Sequence, residues 1–121
     1  MIAGAHTIIY AEDAEKARAF FRDVLGFTSV DAGRGWLIFE LPPGELALHP
    51  SDDPGRHELF LMCHDIERTV QELEAKGVEF VSPITEARFG RMTRLKIPGA
   101  GEISLYEPKH PSPLTEFTSG G

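Results

Sequence analysis

Two residues that could carry out acid–base or ligand chemistry occupy corresponding positions in the 121-residue chain. His6 opens one apolar segment, and Glu58, 52 residues later, opens a similar one. A carboxylate inside a cleft is costly unless it is paired, bound to a metal ion or protonated. Glu58 could therefore be a ligand, a general base, or the partner of His6 or His49. A metal-free enzyme that uses Glu58 and His6 as an acid–base pair is a further possibility.

The positions of His6 and Glu58 belong to a longer internal repeat. Similar offsets relate several further pairs, which are Asp13 and Asp65, Gly26 and Gly77, and residues 44–48 and 101–105. Two copies indicate a duplicated half-domain, because a solenoid needs at least three repeats. The pattern predicts one domain over residues 1–110, built from paired modules at about 2–50 and 56–108, with a loosely ordered tail over 111–121.

Each module has the pattern of a strand, a helix and three further strands. Asp13 and Asp65 are suited to cap the helices, and Gly26 and Gly77 to end them. Apolar and β-branched segments predict strands over residues 6–11, 27–31, 36–41 and 45–49 in the first module, and over 57–64, 78–81, 91–97 and 102–107 in the second. Residues 50–56 have the composition of a linker, and residues 83–90 are predicted to form a loop.

The composition limits the classes of partner. A net charge of −7 argues against nucleic acid as a partner, because nucleic acid requires a basic face. No apolar stretch approaches the length that crosses a bilayer, and the start of the chain lacks the pattern of a secretory signal. The single cysteine, Cys63, excludes an intramolecular disulfide. A cytoplasmic protein without a membrane partner is therefore expected.

Side chains alternate between the two faces of a strand, so each predicted strand divides into two sets. One set is aliphatic and is expected to pack beneath the helices; it contains Ile9, Leu46, Leu48, Leu59, Leu61, Ile103 and Leu105. The other set mixes ionisable, aromatic and small side chains; it contains His6, Ile8, Tyr10, Ala47, His49, Glu58, Phe60, Met62, Ser104 and Tyr106. The mixed set is typical of a cleft wall.

The chain resembles the vicinal oxygen chelate superfamily, which includes glyoxalase, bleomycin-resistance proteins and extradiol dioxygenases. The resemblance covers residues 2–108 and rests on AHTIIY at 5–10, FFRDVLGF at 20–27 and DIERTVQELEAKGVEF at 65–80. It implies an α+β fold in which two βαβββ modules form a curved mixed sheet with helices on its outer face. The fold hosts many chemistries, so the resemblance is less specific for activity.

The resemblance also implies where a divalent metal ion would bind. The family positions fall on His6, Ala47, Glu58 and Ser104, so alanine and serine stand where the last-strand ligands would be. His49 lies two residues beyond Ala47 on the same face and could supply a third ligand. The predicted metal site is therefore His6, His49 and Glu58, holding Zn, Ni, Mn or Fe.

Two functions follow from this comparison. The first is a glyoxalase-like enzyme, of lyase, isomerase or dioxygenase type, in which the metal ion polarises a substrate with vicinal oxygens and Glu58 is the catalytic residue. The alternative is a metal-free protein, similar to bleomycin-resistance proteins, that binds an aromatic or amphipathic small molecule. In either function the predicted contact residues are Phe60, Met62, Ser104, Tyr106 and Trp36. The resemblance further implies a homodimer, in which a swapped arrangement would bring His6 and Glu58 from different chains.

Overall fold

The two predicted helices begin and end at the expected residues. The computed structural model describes residues 6–55 and 57–117, so the proposed module start near residue 2, the end of the linker at 56 and the end of the tail lie outside the described residues. Asp13 accepts a hydrogen bond from the backbone N–H of Lys16 at 3.1 Å and caps α1 (Ala14–Ala19). Asp65 caps α2 (Ile66–Ala75) in the same way.

Helix α1 continues into a wider π-helical stretch at Phe20–Val24. Phe20 and Phe21 are adjacent in sequence, yet both are buried in the core. Their rings meet edge to face with centroids 5.8 Å apart, and Phe21 also packs against Phe39. The aromatic contacts therefore anchor the first helix in the core and join it to the strands that follow.

The strands form a two-stranded sheet and a four-stranded sheet. The first pairs β1 (Ser29–Asp31) with β2 (Leu37–Phe39) as an antiparallel hairpin. The second contains β3 (Phe60–Met62), β4 (Thr85–Ala87), β5 (Gly90–Lys96) and β6 (Glu102–Pro108), in the order β3-β6-β5-β4. Strand β3 runs parallel to β6, and the other pairs are antiparallel. The second module is thus complete, and a 3₁₀ turn at Thr115–Phe117 follows it.

One hydrophobic core lies between the helices and the four-stranded sheet. Leu95 and Ile66 are fully buried, with Ile97, Ile103 and Leu105 around them. Ala17, Phe20 and Phe21 belong to the same cluster, so the helix of the first module packs into the core of the second. None of the helices described is long and apolar enough to cross a membrane.

Several predicted strands are absent from this arrangement. Residues 6–11 and 45–49 have no regular secondary structure, so the prediction of strands there is wrong. The aliphatic side chains of these segments are exposed as well, and Leu46 and Leu48 are 84% and 86% exposed. In the second module the corresponding strands β3 and β6 pair with each other. The short hairpin of the first module offers little support, because two-stranded sheets are only marginally stable.

Two further differences lie in the second module. The sequence predicts a strand over residues 78–81, but Phe80 makes only one isolated bridge to Leu95. It predicts a loop over residues 83–90, yet β4 lies within them and pairs with the start of β5. Backbone hydrogen bonds of 2.9 Å from Val81 to Arg94 and from Lys96 to Glu79 still join the first segment to β5, although it forms no continuous strand.

Helix α1 is tied to the turn between β5 and β6 at Gly99. The backbone N–H of Asp13 donates to the carbonyl of Gly99 at 2.9 Å. A Cβ at Gly99 would lie 2.5 Å from the carbonyl oxygen of Asp13, and the residue has a φ of +80°. Glycine is therefore required here both for space and for conformation.

Gly99→Ala is expected to lower the free energy of unfolding by about 2–5 kcal/mol, since overpacking contributes about 1–3 kcal/mol and a left-handed alanine about 1–2 kcal/mol. Gly101→Ala is a matched control with a φ of +77° and open space, and should cost about 1 kcal/mol. Gly44→Ala, where neither restriction applies, should stay within about 0.5 kcal/mol of the parent. Urea unfolding measures all three, and equal effects at Gly99 and Gly101 would contradict the close contact.

Candidate functional site

The mixed face of the four-stranded sheet carries two rows of registered side chains. Residues directly opposite each other on neighbouring strands share a face. Two rows follow from the strand register, Phe60–Ser104–Arg94 and Met62–Tyr106–Met92. The structure thus brings together four of the five side chains predicted to contact a ligand. Their role in binding stays a prediction.

Arg94 lies in the first row, beside Ser104. Its guanidinium donates to the Ser104 hydroxyl at 2.7 Å and to a Glu102 carboxylate oxygen at 3.1 Å. The Arg94 side chain is 43% exposed, so its remaining donors can reach a polar group of a ligand. Arg94 is not among the residues that the sequence predicts to contact a ligand, and only the register places it on the candidate face.

Tyr106 lies at the centre of a polar network on the same face. Its hydroxyl donates to Oε1 of Glu45 at 2.9 Å, and Nε2 of His110 lies 3.2 Å from the Tyr106 oxygen. The Ser112 hydroxyl donates to Oε2 of Glu45 at 2.5 Å. Glu45, Ser112 and His110 are not among the site residues predicted from the sequence, because the residues that meet here are up to 67 positions apart.

Aromatic rings surround Tyr106. Phe60 meets the Tyr106 ring edge to face with a centroid distance of 5.4 Å, and Phe89 does so at 6.3 Å. Burial, followed by the hydrogen bond to Glu45 and its negative charge, raises the pKa of Tyr106 to about 12. Tyr106 is therefore a neutral hydrogen-bond donor at physiological pH rather than a phenolate base.

The residues after β6 return to this face. The backbone N–H of Lys109 donates to the carbonyl of Phe89 at 2.8 Å. Farther along, the ring of Phe117 stacks on His64 with centroids 4.6 Å apart. Residues 109–117 thus run along the edge of the candidate site, and we refer to them as the C-terminal strap.

The predicted metal donors are placed elsewhere. His6, His49 and Glu58 are all exposed and lie outside the strands. Within residues 6–55 and 57–117, no group of three or more His, Cys, Asp or Glu side chains is arranged to hold a metal ion. The donor set therefore does not fit a metal site as this single chain is folded, and the metal site stays a prediction.

Trp36 and Cys63 are the remaining side chains that the sequence singled out. Trp36 precedes β2 in the hairpin of the first module and is 55% exposed. Cys63 packs against the core, and burial raises the pKa of its thiol to about 11. A thiol with this pKa is protonated at neutral pH, so Cys63 has the character of an inert core residue.

A second concave surface lies between the end of the first helix and the β5–β6 turn. This open groove has a volume of about 570 Å³, with Phe20, Val24, Val78 and Ile97 among its lining residues. Lys96 and Glu79 form an ion pair at its rim. None of the predicted site residues lines this groove, so the chemistry-bearing side chains and the groove are separate features.

The pKa of Tyr106 can be measured in a Tyr10→Phe variant, which leaves Tyr106 as the single tyrosine. Its absorbance titration is expected to have a midpoint near pH 12, and Glu45→Gln should lower that midpoint because it replaces a charged acceptor with a neutral one. Because the pKa of Tyr106 is higher in the folded state, its protonated hydroxyl contributes to the free energy of unfolding. This contribution is complete below about pH 10 and is lost as the pH rises towards 12. A midpoint near 10 in protein shown to be folded by Trp36 fluorescence would contradict the buried network.

Solved structures of similar fold include a binding protein and an enzyme. An antibiotic-binding protein from Streptomyces sp. CB03234 is 24% identical, with a TM-score of 0.61 over 90% of this chain and 100% of the other. A lactoylglutathione lyase from Agrobacterium tumefaciens is 19% identical, with a TM-score of 0.63 over 87% and 92%. These two likenesses concern the fold alone. No curated protein sequence matches the chain.

Family membership follows from the family model, and a third solved structure is described in the same terms. A protein from Sphaerobacter thermophilus, described as a member of the glyoxalase/bleomycin resistance protein/dioxygenase superfamily, is 27% identical, with a TM-score of 0.59 over 88% of this chain and 98% of the other. The family model itself matches residues 4–109, which is nearly the whole chain. The chain therefore belongs to the glyoxalase/bleomycin resistance protein/dioxygenase superfamily.

Proposed function

We propose that the protein binds an aromatic or amphipathic small molecule on the mixed face of the four-stranded sheet, without a metal ion. The observation that carries the proposal is the pair of registered rows, in which Phe60, Met62, Met92 and Tyr106 form an apolar surface beside Arg94. Apolar walls with a few fixed polar groups are typical of small-molecule sites.

The chemistry of these side chains suits a ligand of this kind. Met62 and Met92 have flexible, polarisable thioethers that adapt to irregular apolar shapes. Phe60 offers a flat ring, and it is half-buried, so part of its surface remains available for contact. Arg94 at one end and the Glu45–Tyr106 network at the other supply polar groups that could orient a bound molecule.

The comparisons are compatible with this function. The antibiotic-binding protein from Streptomyces sp. CB03234 has the same fold, so the fold can hold a small molecule. The lactoylglutathione lyase has it too, so the fold alone does not distinguish a binding protein from an enzyme. We favour binding because its contact residues lie together, whereas the described residues do not group His6, His49 and Glu58.

The proposal is tested by thermal-shift screening of aromatic and amphipathic compounds, each with and without a chelator. A ligand is expected to raise the melting temperature equally in both conditions. Phe60→Ala should weaken its binding about tenfold, because truncating a central aromatic contact costs about 1–2 kcal/mol. Val30→Ala, on the hairpin of the first module, is the control and should leave affinity unchanged. A response that the chelator abolishes, and that His6→Ala or Glu58→Gln also removes, would instead support the metal-dependent enzyme.

We also propose that the protein is a homodimer. Tyr10, Leu46 and Leu48 are each more than four-fifths exposed, on two segments whose counterparts in the second module pair as β3 and β6. Large exposed apolar patches are typical of interaction surfaces, and a second copy could supply the missing strand partners.

Light scattering during size-exclusion chromatography is expected to give twice the mass of the chain at micromolar concentration. Leu48→Asp should shift the protein towards monomer, since it places a charge within the proposed interface. Val30→Asp introduces the same charge at another exposed apolar position and should remain dimeric. A monomeric parent protein at micromolar concentration would contradict the proposal.

A further inference from the structure

Glu45 is turned inward where its apolar neighbours are turned outward. The Glu45 side chain is 14% exposed, whereas Leu46 and Leu48 are 84% and 86% exposed. An extended segment normally buries its leucines and exposes its carboxylate, because the charged group loses hydration on burial. The carboxylate of Glu45 is therefore what attaches this segment to the sheet.

The charge of Glu45 has no fixed cation beside it. Its partners are the hydroxyls of Tyr106 and Ser112, together with the imidazole of His110 at 3.5 Å. In the described part of the chain, no lysine or arginine lies within ion-pair distance of Glu45. The arginines and lysines in ion pairs contact other acids, as Arg94 does with Glu102. Burial without a permanent counter-ion leaves the site able to attract a cation.

The imidazole of His110 lies at the same place. Nε2 lies 3.2 Å from the Tyr106 oxygen and 3.5 Å from Oε1 of Glu45, and Nδ1 lies 2.8 Å from the carbonyl oxygen of Pro111. The C-terminal strap therefore holds a nitrogen-bearing ring against the Glu45 carboxylate.

Aromatic rings lie beside the hydrogen-bonded network that Glu45 forms with Tyr106 and His110. The Tyr106 ring lies beside the imidazole of His110 with centroids 6.0 Å apart, and Phe89 packs on Tyr106 and is 42% exposed. A carboxylate next to aromatic rings is a combination that recognises organic ammonium groups, through a charged hydrogen bond and cation–π attraction. The net charge of −7 further favours the approach of a cation.

We propose that Glu45 and the adjacent rings of Tyr106 and Phe89 recognise the ammonium group of an organic amine, and that His110 occupies this position when no ligand is bound. The inference rests on the proposed function and names the chemical class of its ligand: an amphipathic molecule with an aromatic body and a protonated amine. The body would lie over Phe60, Met62 and Met92. His110 is one-third exposed on the C-terminal strap, so it can leave without disrupting β6.

Two probes that differ only in charge test the inference. At pH 7, 2-phenylethylamine carries an ammonium group, whereas 2-phenylethanol has the same ring and chain length and is neutral. Titrations followed by NMR of the methionine methyl groups measure both affinities. The parent protein is expected to bind the amine about tenfold or more tightly than the alcohol, because a hydrogen bond to a charged partner is stronger than one between neutral groups.

Substitutions at the two key residues should act in opposite directions. Glu45→Gln is expected to remove the preference for the amine, while His110→Ala should strengthen amine binding several-fold because it removes the internal competitor. Glu74→Gln on α2 changes the net charge equally at an exposed position and should leave the preference unchanged. A purely structural role of the network would instead weaken binding in both Glu45→Gln and His110→Ala.

The outcomes separate the inference from the proposed function. Equal binding of both probes, unchanged by Glu45→Gln, would overturn the recognition of an amine and leave binding on the sheet face intact. Weaker amine binding in His110→Ala would overturn the role of His110 as an internal occupant. If neither probe shifts the Met62 and Met92 signals at millimolar concentration, the proposed function fails together with the inference.

Discussion

The pairing of β5 with β6 is the constraint on which the other features depend. The two strands are in register over seven residue pairs, from Gly90 opposite Pro108 to Lys96 opposite Glu102. That register buries Leu95 and Ile103 on one face and places Arg94 and Ser104 on the other. A shift of one residue would exchange the two faces, so the same hydrogen bonds determine both the core and the candidate site.

The first module is stabilised largely through the second. Its helix contributes Ala17, Phe20 and Phe21 to the core that surrounds Leu95, and its N-terminus is bonded to Gly99. The π-helical stretch assists because it lets two adjacent phenylalanines face the core. Among the strands predicted in this module, the hairpin is supported by the contact of Phe39 with Phe21, and it is the part that forms. The duplicated sequence therefore gives two halves with unequal structural roles.

The parts that the sequence predicts correctly are governed by local interactions. Asp13 and Asp65 cap their helices, and Gly26 and Gly77 adopt the positive φ angles expected where the helices end. The alternation of β6 also predicts correctly that Tyr106 faces away from the core side. These features depend on neighbours within a few residues, so the local sequence predicts them well.

The parts that the sequence does not predict depend on distant partners. Residues 6–11 and 45–49 have strand-like composition but no strand beside them in the single chain. Glu45 meets Ser112 across 67 positions, and only the strap after β6 brings them together. Residue spacing in the sequence does not predict such a contact, because the course of a surface segment depends on the folded surface against which it packs.

The two copies of one glutamate show how the halves diverged. Glu45 and Glu102 occupy matching positions in the repeated segments 44–48 and 101–105. Glu102 is 43% exposed and bonds to Arg94 on the neighbouring strand, so a permanent cation satisfies it. Glu45 is 14% exposed, and its described partners include Ser112 and the imidazole of His110, which the strap supplies. A partner carried on a strap can be exchanged for a ligand, whereas one fixed in a strand cannot. The copy that lost its strand is therefore the one whose carboxylate is suited to recognition.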